Sequence, residues 1–428
     1  MKKIASILLT LSFILPISAG CRKNSTQLHE AASANEVPYI GDETAVFDLM
    51  GSGSSSDQAS EEELRMAYTK FVFEVMKRCV EQSDTSNVLI SPDSLLFALE
   101  MTAAGASGTT LDQMLQTMMP GISNTESFRF AVDRMEHLRN DSLHIANSIW
   151  INQNDSQSIF KPYSDYVSRH FDAAINIRSF QDGIVNTINK WVEGKTDGKI
   201  KNLLTPTDID PLSIMVLINA ISFESEWETA LSESDIHEGL FIRGENDTQI
   251  VMFLNSTENT YLSSNDATGF IKPYKDGQFG FMALLPEDSN TDISSFISSL
   301  TPEKYWEIWN SRISSEVRVM FPEFSTDYRI ELPDVLQDMG MVAPFDPASA
   351  DFSLMTPDEV YIKNVIHQTH IEVNREGTTA AAATAVIMNK YGEPSIHTRS
   401  VCCNRPFVYA IVDMETGIPV FLGTCASV

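Results

Sequence analysis

One segment near the C-terminus constrains the fold of this chain more than any other, because it combines two conflicting backbone preferences. Residues 372–388 read EVNREGTTAAAATAVIM. The four consecutive alanines favour a helix, whereas the flanking threonine, valine and isoleucine residues favour a strand. Such a conflict usually argues against foldability, but it is also what a segment with two native states would show. A short buried helix or a linker is the alternative interpretation.

Hydrophobic periodicity predicts helices early in the chain and strands later. Apolar residues follow helical spacing over 62–79 and over 94–104, the second segment after a Ser-Pro pair. Alternation at 317–321 and a β-forming run at 407–412 predict strands, and a Glu-Thr-Gly turn then leads into a further strand at 420–422. Helices followed by strands predict an α+β fold with large antiparallel sheets.

Charge and motif content exclude several classes of function. The 428 residues include 30 Lys and Arg and 58 Asp and Glu, a net charge of −28. Phosphate binding depends on Lys and Arg, so we expect no nucleic-acid partner. The five cysteines lack zinc-site spacing, and a bridge from Cys402 or Cys403 to Cys425 is left open. Nucleophile-elbow, phosphate-loop and metalloprotease motifs are missing, so we expect no metal, no cofactor and no catalytic residues.

The N-terminus carries the features of an export signal. Residues 1–20 hold two lysines, an apolar stretch and small residues directly before Cys21. Ser-Ala-Gly-Cys resembles the bacterial lipobox, with Ser18 where Leu is usual, so Cys21 is the expected lipidation site. Residues 1–20 are then a lipoprotein signal peptide, 21–60 a flexible tether and 61–428 the folded domain. We expect an extracytoplasmic protein anchored to a bacterial membrane, at the outer membrane or cell surface; a plain secretory signal is the alternative.

Short motifs occur in order over nearly the whole chain after the tether. They are N-x-x-x-S-P-x-S at 87–94, G-A-x-G-x-T at 105–110, A-N at 146–147, I-N-x-W-V with T-x-G-K-I at 188–200, L-I-N-A-I-x-F-x-x-x-W at 217–227 and N-R-P-F at 404–407. Together with R-E-G-T-T-A-A-A-A-T at 375–384, this series resembles the serpin family.

The resemblance implies a fold and a mechanism. The fold would be α+β, the serpin fold, with three β-sheets, about eight or nine helices and an exposed reactive-centre loop. The mechanism would be irreversible suicide-substrate inhibition of chymotrypsin-like or trypsin-like serine endopeptidases, in which the cut loop enters sheet A as a new strand. We therefore expect a monomer that is not an enzyme and that forms a covalent acyl complex with its protease. The alternatives are a non-inhibitory serpin acting as a binding or carrier module and a hydrolytic lipoprotein.

The resemblance also locates the reactive loop. Its hinge is expected at Gly377, Thr378, Thr379, Ala380, Ala381, Ala382, Ala383 and Thr384. Alternate side chains of an inserted strand face one side, and those from Thr378 to Met388 are uncharged, so their burial leaves no unpaired charge. Counting from Gly377 puts the reactive bond between Tyr391 and Gly392, which suits a chymotrypsin-like pocket. A loop one residue shorter puts it after Lys390, for a trypsin-like protease.

Two polar groups are implied at sheet A. Ser91, Ser94, Asn219 and His367 are expected to form a buried cluster that controls opening of the sheet. Arg375 and Glu323 reverse the charges that are usual at their two positions. We therefore expect an ion pair of swapped sign between them at the top of the sheet.

Overall fold

The computed structural model describes residues 59–428 apart from 84–86, 154–158, 182, 212, 246 and 379–398. Within that part of the chain nine α-helices form: α1 (Glu61–Gln82), α2 (Pro92–Ala103), α3 (Gly108–Met118), α4 (Asn124–His137), α5 (Lys161–Phe171), α6 (Ile184–Lys195), α7 (Ile293–Ser299), α8 (Pro302–Asn310) and α9 (Pro333–Asp338). Two 3-10 turns, Glu233–Asp235 and Ala343–Phe345, lie between the later elements.

Local chemistry explains where the first helices begin. The Ser60 hydroxyl accepts the Glu63 N–H at 3.2 Å, and the Glu63 carboxylate accepts the Ser60 N–H at 2.8 Å, a capping box that starts α1. Ser91 caps α2, and Pro92 occupies its first turn, where a missing N–H costs nothing. The cap holds Ser91 at the start of α2, which packs against the seven-stranded sheet.

The first of two hydrogen-bonded sheets in the described residues has seven strands, numbered here in chain order. Its path runs β3 (Ala174–Arg178), β2 (Leu143–Asn152), β4 (Met215–Phe223), β12 (Ile362–Val373), β13 (Gly377–Thr378) and β5 (Ser225–Glu226), and β11 (Phe324–Glu331) pairs with β12. The strands β4 and β12 are parallel neighbours, whereas β2 and β11 lie antiparallel to them.

The second sheet has nine strands in the described ranges. Its path runs β1 (Leu89–Ile90), β16 (Pro419–Cys425), β15 (Phe407–Asp413), β9 (Phe279–Pro286), β8 (Ala267–Pro273), β7 (Asp247–Ser263), β10 (Ile313–Pro322) and β14 (Arg399–Cys402), and β6 (Ile236–Gly244) pairs with β7. The 17-residue strand β7 pairs with β6 over its first half, with β8 over its last four residues and with β10 from Phe253 to Tyr261. Three sheets are expected, whereas the described residues form two, because β7 pairs with β6, β8 and β10 and so joins these strands in one sheet.

Helix α2 packs between the two sheets. Every residue from Pro92 to Ala103 is buried, and the helix packs against β4 of the first sheet and β16 of the second. A buried arginine ties this helix to its surroundings: the Arg134 guanidinium in α4 donates to both Asp93 carboxylate oxygens, at 3.0 and 2.9 Å, and to Asp413 in β15 at 2.5 Å. Breaking such a buried pair from one side leaves an uncompensated charge, so the network holds helix and sheet in a fixed relation.

The sequence predictions for the individual elements and for the fold class are confirmed, although both sheets are mixed and not purely antiparallel. The predicted helices 62–79 and 94–104 correspond to α1 and α2, and the predicted strands 317–321, 407–412 and 420–422 lie in β10, β15 and β16. The class is α+β. Among the described residues, none of the helices combines the length and the apolar composition that crossing a bilayer requires.

Candidate functional site: the strand pair and the seated hinge

The site begins with two strands that pair directly. Strands β4 and β12 are in parallel register from Met215 opposite Ile362 to Ser222 opposite His370, with one irregularity near Ile362. Each strand satisfies the backbone groups of the other along this stretch. A further strand enters between them only after those hydrogen bonds have separated.

Above the last of these pairs, the first two hinge residues lie inside the sheet. Gly377 and Thr378 form β13, which is antiparallel to β12 on one side, with Thr378 opposite Val373, and to β5 on the other. Gly377 lies so close to β5 that a Cβ atom on it would stand 2.1 Å from the Ser225 carbonyl oxygen. The position therefore requires glycine because of a close backbone approach.

The hinge is held by contacts with an aromatic pair. The Thr378 side chain is fully buried, and its hydroxyl lies 2.5 Å from the Tyr274 hydroxyl. The Tyr274 ring stacks on Trp227 at 4.7 Å between centroids. The Trp227 backbone N–H donates to the Glu376 carbonyl at 2.9 Å, and its indole N–H donates to the Asn374 carbonyl at 2.9 Å. The turn that leads into the hinge is thus fixed from one side by Trp227.

A row of polar side chains crosses the sheet below the hinge. Register places Asn147 of β2 opposite Asn219 of β4, and Asn219 opposite His367 of β12. The His367 Nδ1–H donates to the Asn219 side-chain oxygen at 2.7 Å, and His367 Nε2 accepts the Ser91 backbone N–H at 3.1 Å. The Asn219 amide donates to the Ser94 carbonyl at 2.6 Å and to the Asn147 side-chain oxygen at 2.9 Å. The four residues expected to cluster therefore lie together, and Asn147 is a fifth member that sequence reasoning missed.

The row has one titratable member. His367 has no exposed surface, and this burial lowers the pKa of its imidazole from 6.5 to about 4. The ring is therefore neutral at physiological pH, as the two roles of its nitrogens require. The control that this cluster would exert over sheet opening stays a prediction.

The pairing of Arg375 with Glu323 takes a different form from the expected ion pair. Glu323 Oε1 accepts the backbone N–H of Arg375 at 3.2 Å. Both residues are described, and the ion pairs found in the described part of the chain do not join their side chains. Glu323 thus meets Arg375 at the top of the sheet through the main chain, so the sign of the residue 375 side chain does not define this contact.

Of the remaining predicted site residues, some lie outside the described part of the chain and some lie within it. Cys21, the residues Thr379 to Thr384, Lys390, Tyr391 and Gly392 lie outside the described residues. The described cysteines 79, 402, 403 and 425 are free thiols, so the disulfide left open by the sequence does not form. Cys403 and Cys425 are buried, which raises the pKa of both thiols and leaves them protonated.

This geometry defines a class of α+β protein: a large sheet closed by a direct parallel strand pair, with a two-residue hinge seated at the end of that pair. A family model described as Serpin (serine protease inhibitor) matches residues 66–428. Serpin B6 of Pongo abelii is 30% identical over 360 residues, which cover 81% of this chain and 94% of that protein. The chain belongs to the serpin family.

Solved structures agree with this assignment. The thermophilic serpin tengpin in its native state is 34% identical, with a TM-score of 0.79 over 90% of this chain and 98% of that one. Tengpin in its latent state gives a TM-score of 0.72 at 33% identity, over 86% and 98%. Human thyroxine-binding globulin in complex with thyroxine shares the fold at 22% identity, with a TM-score of 0.74 over 85% and 98%.

Proposed function

We propose that this serpin is an irreversible inhibitor of serine endopeptidases that acts by cleavage and insertion of its reactive loop. The observation that carries the proposal is the direct β4–β12 pairing beside a hinge seated at its open end. A sheet in which β4 and β12 pair directly can accept one more strand between them. The added strand then forms main-chain hydrogen bonds along both of its edges. The hinge sequence from Gly377 to Thr384 has no charge and no proline, so its entry buries no unpaired charge and omits no donor.

The chemistry belongs to the protease. Its serine oxygen attacks the carbonyl carbon of Tyr391, the bond to Gly392 breaks, and the new amine leaves with the proton that the serine gave up. The residue before the cut remains bound to the protease as an ester. Insertion of the loop then carries the protease along and distorts it before water can release it. Serpins are mostly inhibitors rather than catalysts, and we propose that this chain supplies no catalytic group.

The specificity follows the residue at the cut. Tyr391 suits a chymotrypsin-like pocket, and cleavage after Lys390 would instead suit a trypsin-like one. We further propose that the protein acts as a monomer outside the cytoplasm, bound to a bacterial membrane through lipidated Cys21. The signal-like residues 1–20 and the small residues before Cys21 support this address.

The direct test is incubation of a soluble form, residues 45–428, with chymotrypsin and separately with trypsin. We expect a band at the combined mass that survives boiling in detergent. Mass spectrometry of the C-terminal peptide then places the cut after Tyr391 or after Lys390. Clean cleavage without such a band, for every serine protease tried, would contradict inhibition and favour the binding or carrier alternative.

A matched pair of hinge variants sharpens this test. Thr378 faces the core, so alternation along an inserted strand turns Ala382 inward and Ala381 outward. Ala382→Arg would bury an unpaired charge on insertion and should turn the inhibitor into a plain substrate. Ala381→Arg should still form the covalent band. Equal behaviour of the two variants would argue against insertion as a strand.

A further inference from the structure

The seated hinge already occupies the position of an added strand. Strand β13 runs antiparallel to β12, and β5 directly follows β4 along the chain. A strand that continued β13 in the same direction would therefore run between β12 and β4. Gly377 and Thr378 thus have, before any cut, the neighbours that they would keep after full insertion.

One turn of the second sheet contacts both β13 and its neighbour β5. The turn between β8 and β9 carries Tyr274, whose hydroxyl meets that of Thr378 at 2.5 Å. Two residues further on, the Asp276 carboxylate accepts the Ser225 hydroxyl of β5 at 3.1 Å. Between them, the Lys275 ammonium lies 2.7 Å from the Glu226 carboxylate. The hinge and its neighbouring strand therefore share one fixed support.

Tyr274 is rigid at this place. Its ring stacks on Trp227 and meets Phe223 edge-on at 4.9 Å between centroids. Both the Tyr274 ring and the Thr378 side chain are fully buried, so neither hydroxyl can exchange its partner for solvent. Burial also raises the pKa of the Tyr274 phenol far above its ordinary value, so the phenol stays neutral beside the Thr378 hydroxyl.

We propose that Tyr274 is a positioning residue for the inhibitory reaction: its hydroxyl holds Thr378 in register, so that the cut loop enters the sheet from an end that is already seated. This inference rests on the proposed function. Ordering the first residues of a new strand is the costly step, because backbone freedom is lost before the ladder repays it. A seated hinge leaves only the propagation step, and faster insertion leaves the acyl-protease less time to hydrolyse.

The test compares Tyr274→Phe and Thr378→Val, which each delete one partner and keep the volume similar. The measurement is the ratio of cleaved, released inhibitor to covalent complex, since this ratio rises as insertion slows. Each variant should raise the ratio about fivefold, the factor that the loss of one ordinary hydrogen bond carries. The double variant should be no worse than either single variant, because both act through one contact. Thr378→Ser keeps the hydroxyl and should restore the wild-type ratio.

A matched control separates positioning from general stability. The Tyr305 hydroxyl is equally buried and donates to the Gly417 carbonyl at 2.5 Å, on helix α8 and not at the hinge. Tyr305→Phe should lower thermal stability without changing the ratio. If Tyr274→Phe and Thr378→Val leave the ratio unchanged, or if Tyr305→Phe raises it as much, the positioning role is overturned while the inhibitor proposal stands.

A second measurement covers the case in which no protease forms a complex. Thermolysin, a metalloprotease that forms no acyl-enzyme, is used to cut the loop, and the fraction that survives heating is followed over time. A faster gain of heat resistance in the wild type than in Tyr274→Phe would support the seating role although the inhibitor proposal had failed. Equal rates, or no gain in either protein, would overturn the seating role.

Discussion

His367 has a polar ring in a fully buried position, and its neighbours assign its two nitrogens different tasks. Nδ1 donates to Asn219 and Nε2 accepts from Ser91, which is an arrangement that only the neutral ring can make. Protonation of Nε2 would set a donor against the Ser91 N–H and place a charge under the β4–β12 pair. The strands at this point are thus joined by a contact that depends on pH.

The first residue-scale prediction follows from the sign of this shift. The pKa of His367 falls from 6.5 in the unfolded chain to about 4 in the folded one. The unfolded chain binds the proton first, so this contribution to stability is complete above pH 6.5 and is lost as the pH falls towards 4. Between pH 7 and pH 5 the loss should be about 2 kcal/mol. Urea unfolding of the wild type and of His367→Gln at both pH values measures it, and identical pH dependence in the two proteins would contradict it.

Individual residues also show where sequence reasoning stopped. Ser91, Ser94 and Asn219 stand in motifs of the ordered series, and the family resemblance implies His367 as their partner. Asn147 was overlooked as a cluster member, since its part depends on the register of β2 with β4. Tyr274 has no local signal at all, because its role arises where two sheets meet. Arg375 lies near Glu323 as predicted, but a carboxylate can accept a backbone N–H as readily as pair with a guanidinium, and sequence does not choose between them.

At the scale of elements, residues 372–388 combine helix and strand preferences, and the two-residue strand β13 within them adopts the strand. The strand preference wins at Gly377 and Thr378 because β12 and β5 provide partners on both edges. The alanines that follow lie outside the described residues. Propensity is a weak prior, and tertiary partners decide between such preferences.

The close approach of β13 to β5 leads to the element-scale prediction. In Gly377→Ala the added methyl group would meet the Ser225 carbonyl oxygen at 2.1 Å, so the hinge backbone must leave its seat. We expect a loss of about 1–3 kcal/mol of stability, as for other overpacked sites, together with a fall in the trapped fraction of protease. Thermal unfolding and the covalent-complex assay measure the two effects.

Gly194 supplies the control for that substitution. It lies in helix α6, and a Cβ atom on it would meet no other atom within 4 Å. Gly194→Ala should therefore be neutral or stabilising by about 0.5–1 kcal/mol. Equal losses in the two variants would show that the approach at Gly377 is not special.

At the scale of the whole molecule, sequence reasoning reached the fold class and the ordered motifs but not the joining of the sheets. Periodicity identifies a strand without naming its partners. The continuity of two strand groups arises because β7 has enough length to pair at different points with β6, β8 and β10. The placement of α2 between the sheets likewise depends on a buried charge network whose members, Arg134, Asp93 and Asp413, are far apart in sequence.

The last prediction concerns the cellular location of the whole molecule. If Cys21 is lipidated, the expressed full-length chain should partition into membranes, because each buried methylene contributes about 0.8 kcal/mol. Cys21→Ser should move it to the soluble fraction, as measured by membrane sedimentation and detergent phase separation. Cys402→Ser, which replaces an exposed thiol of β14, should leave the partition unchanged. Membrane association that persists in Cys21→Ser would contradict the anchor.

The burial of the last two strands has a consequence for a molecule that has been cut. Strands β15 and β16 are buried along their whole length and pair with β9 and β1, far earlier in the chain. The described cysteines are free thiols, including Cys402, Cys403 and Cys425 of the C-terminal piece, so a cut anywhere within residues 379–398 leaves that piece held by packing and hydrogen bonds alone. A molecule that has been cut and has released its protease is then a non-covalent pair of pieces, heavier than the intact chain by one water. Methods that count native particles would score such cleaved molecules and intact ones alike, and denaturation would reveal how much of the free population had already been cut.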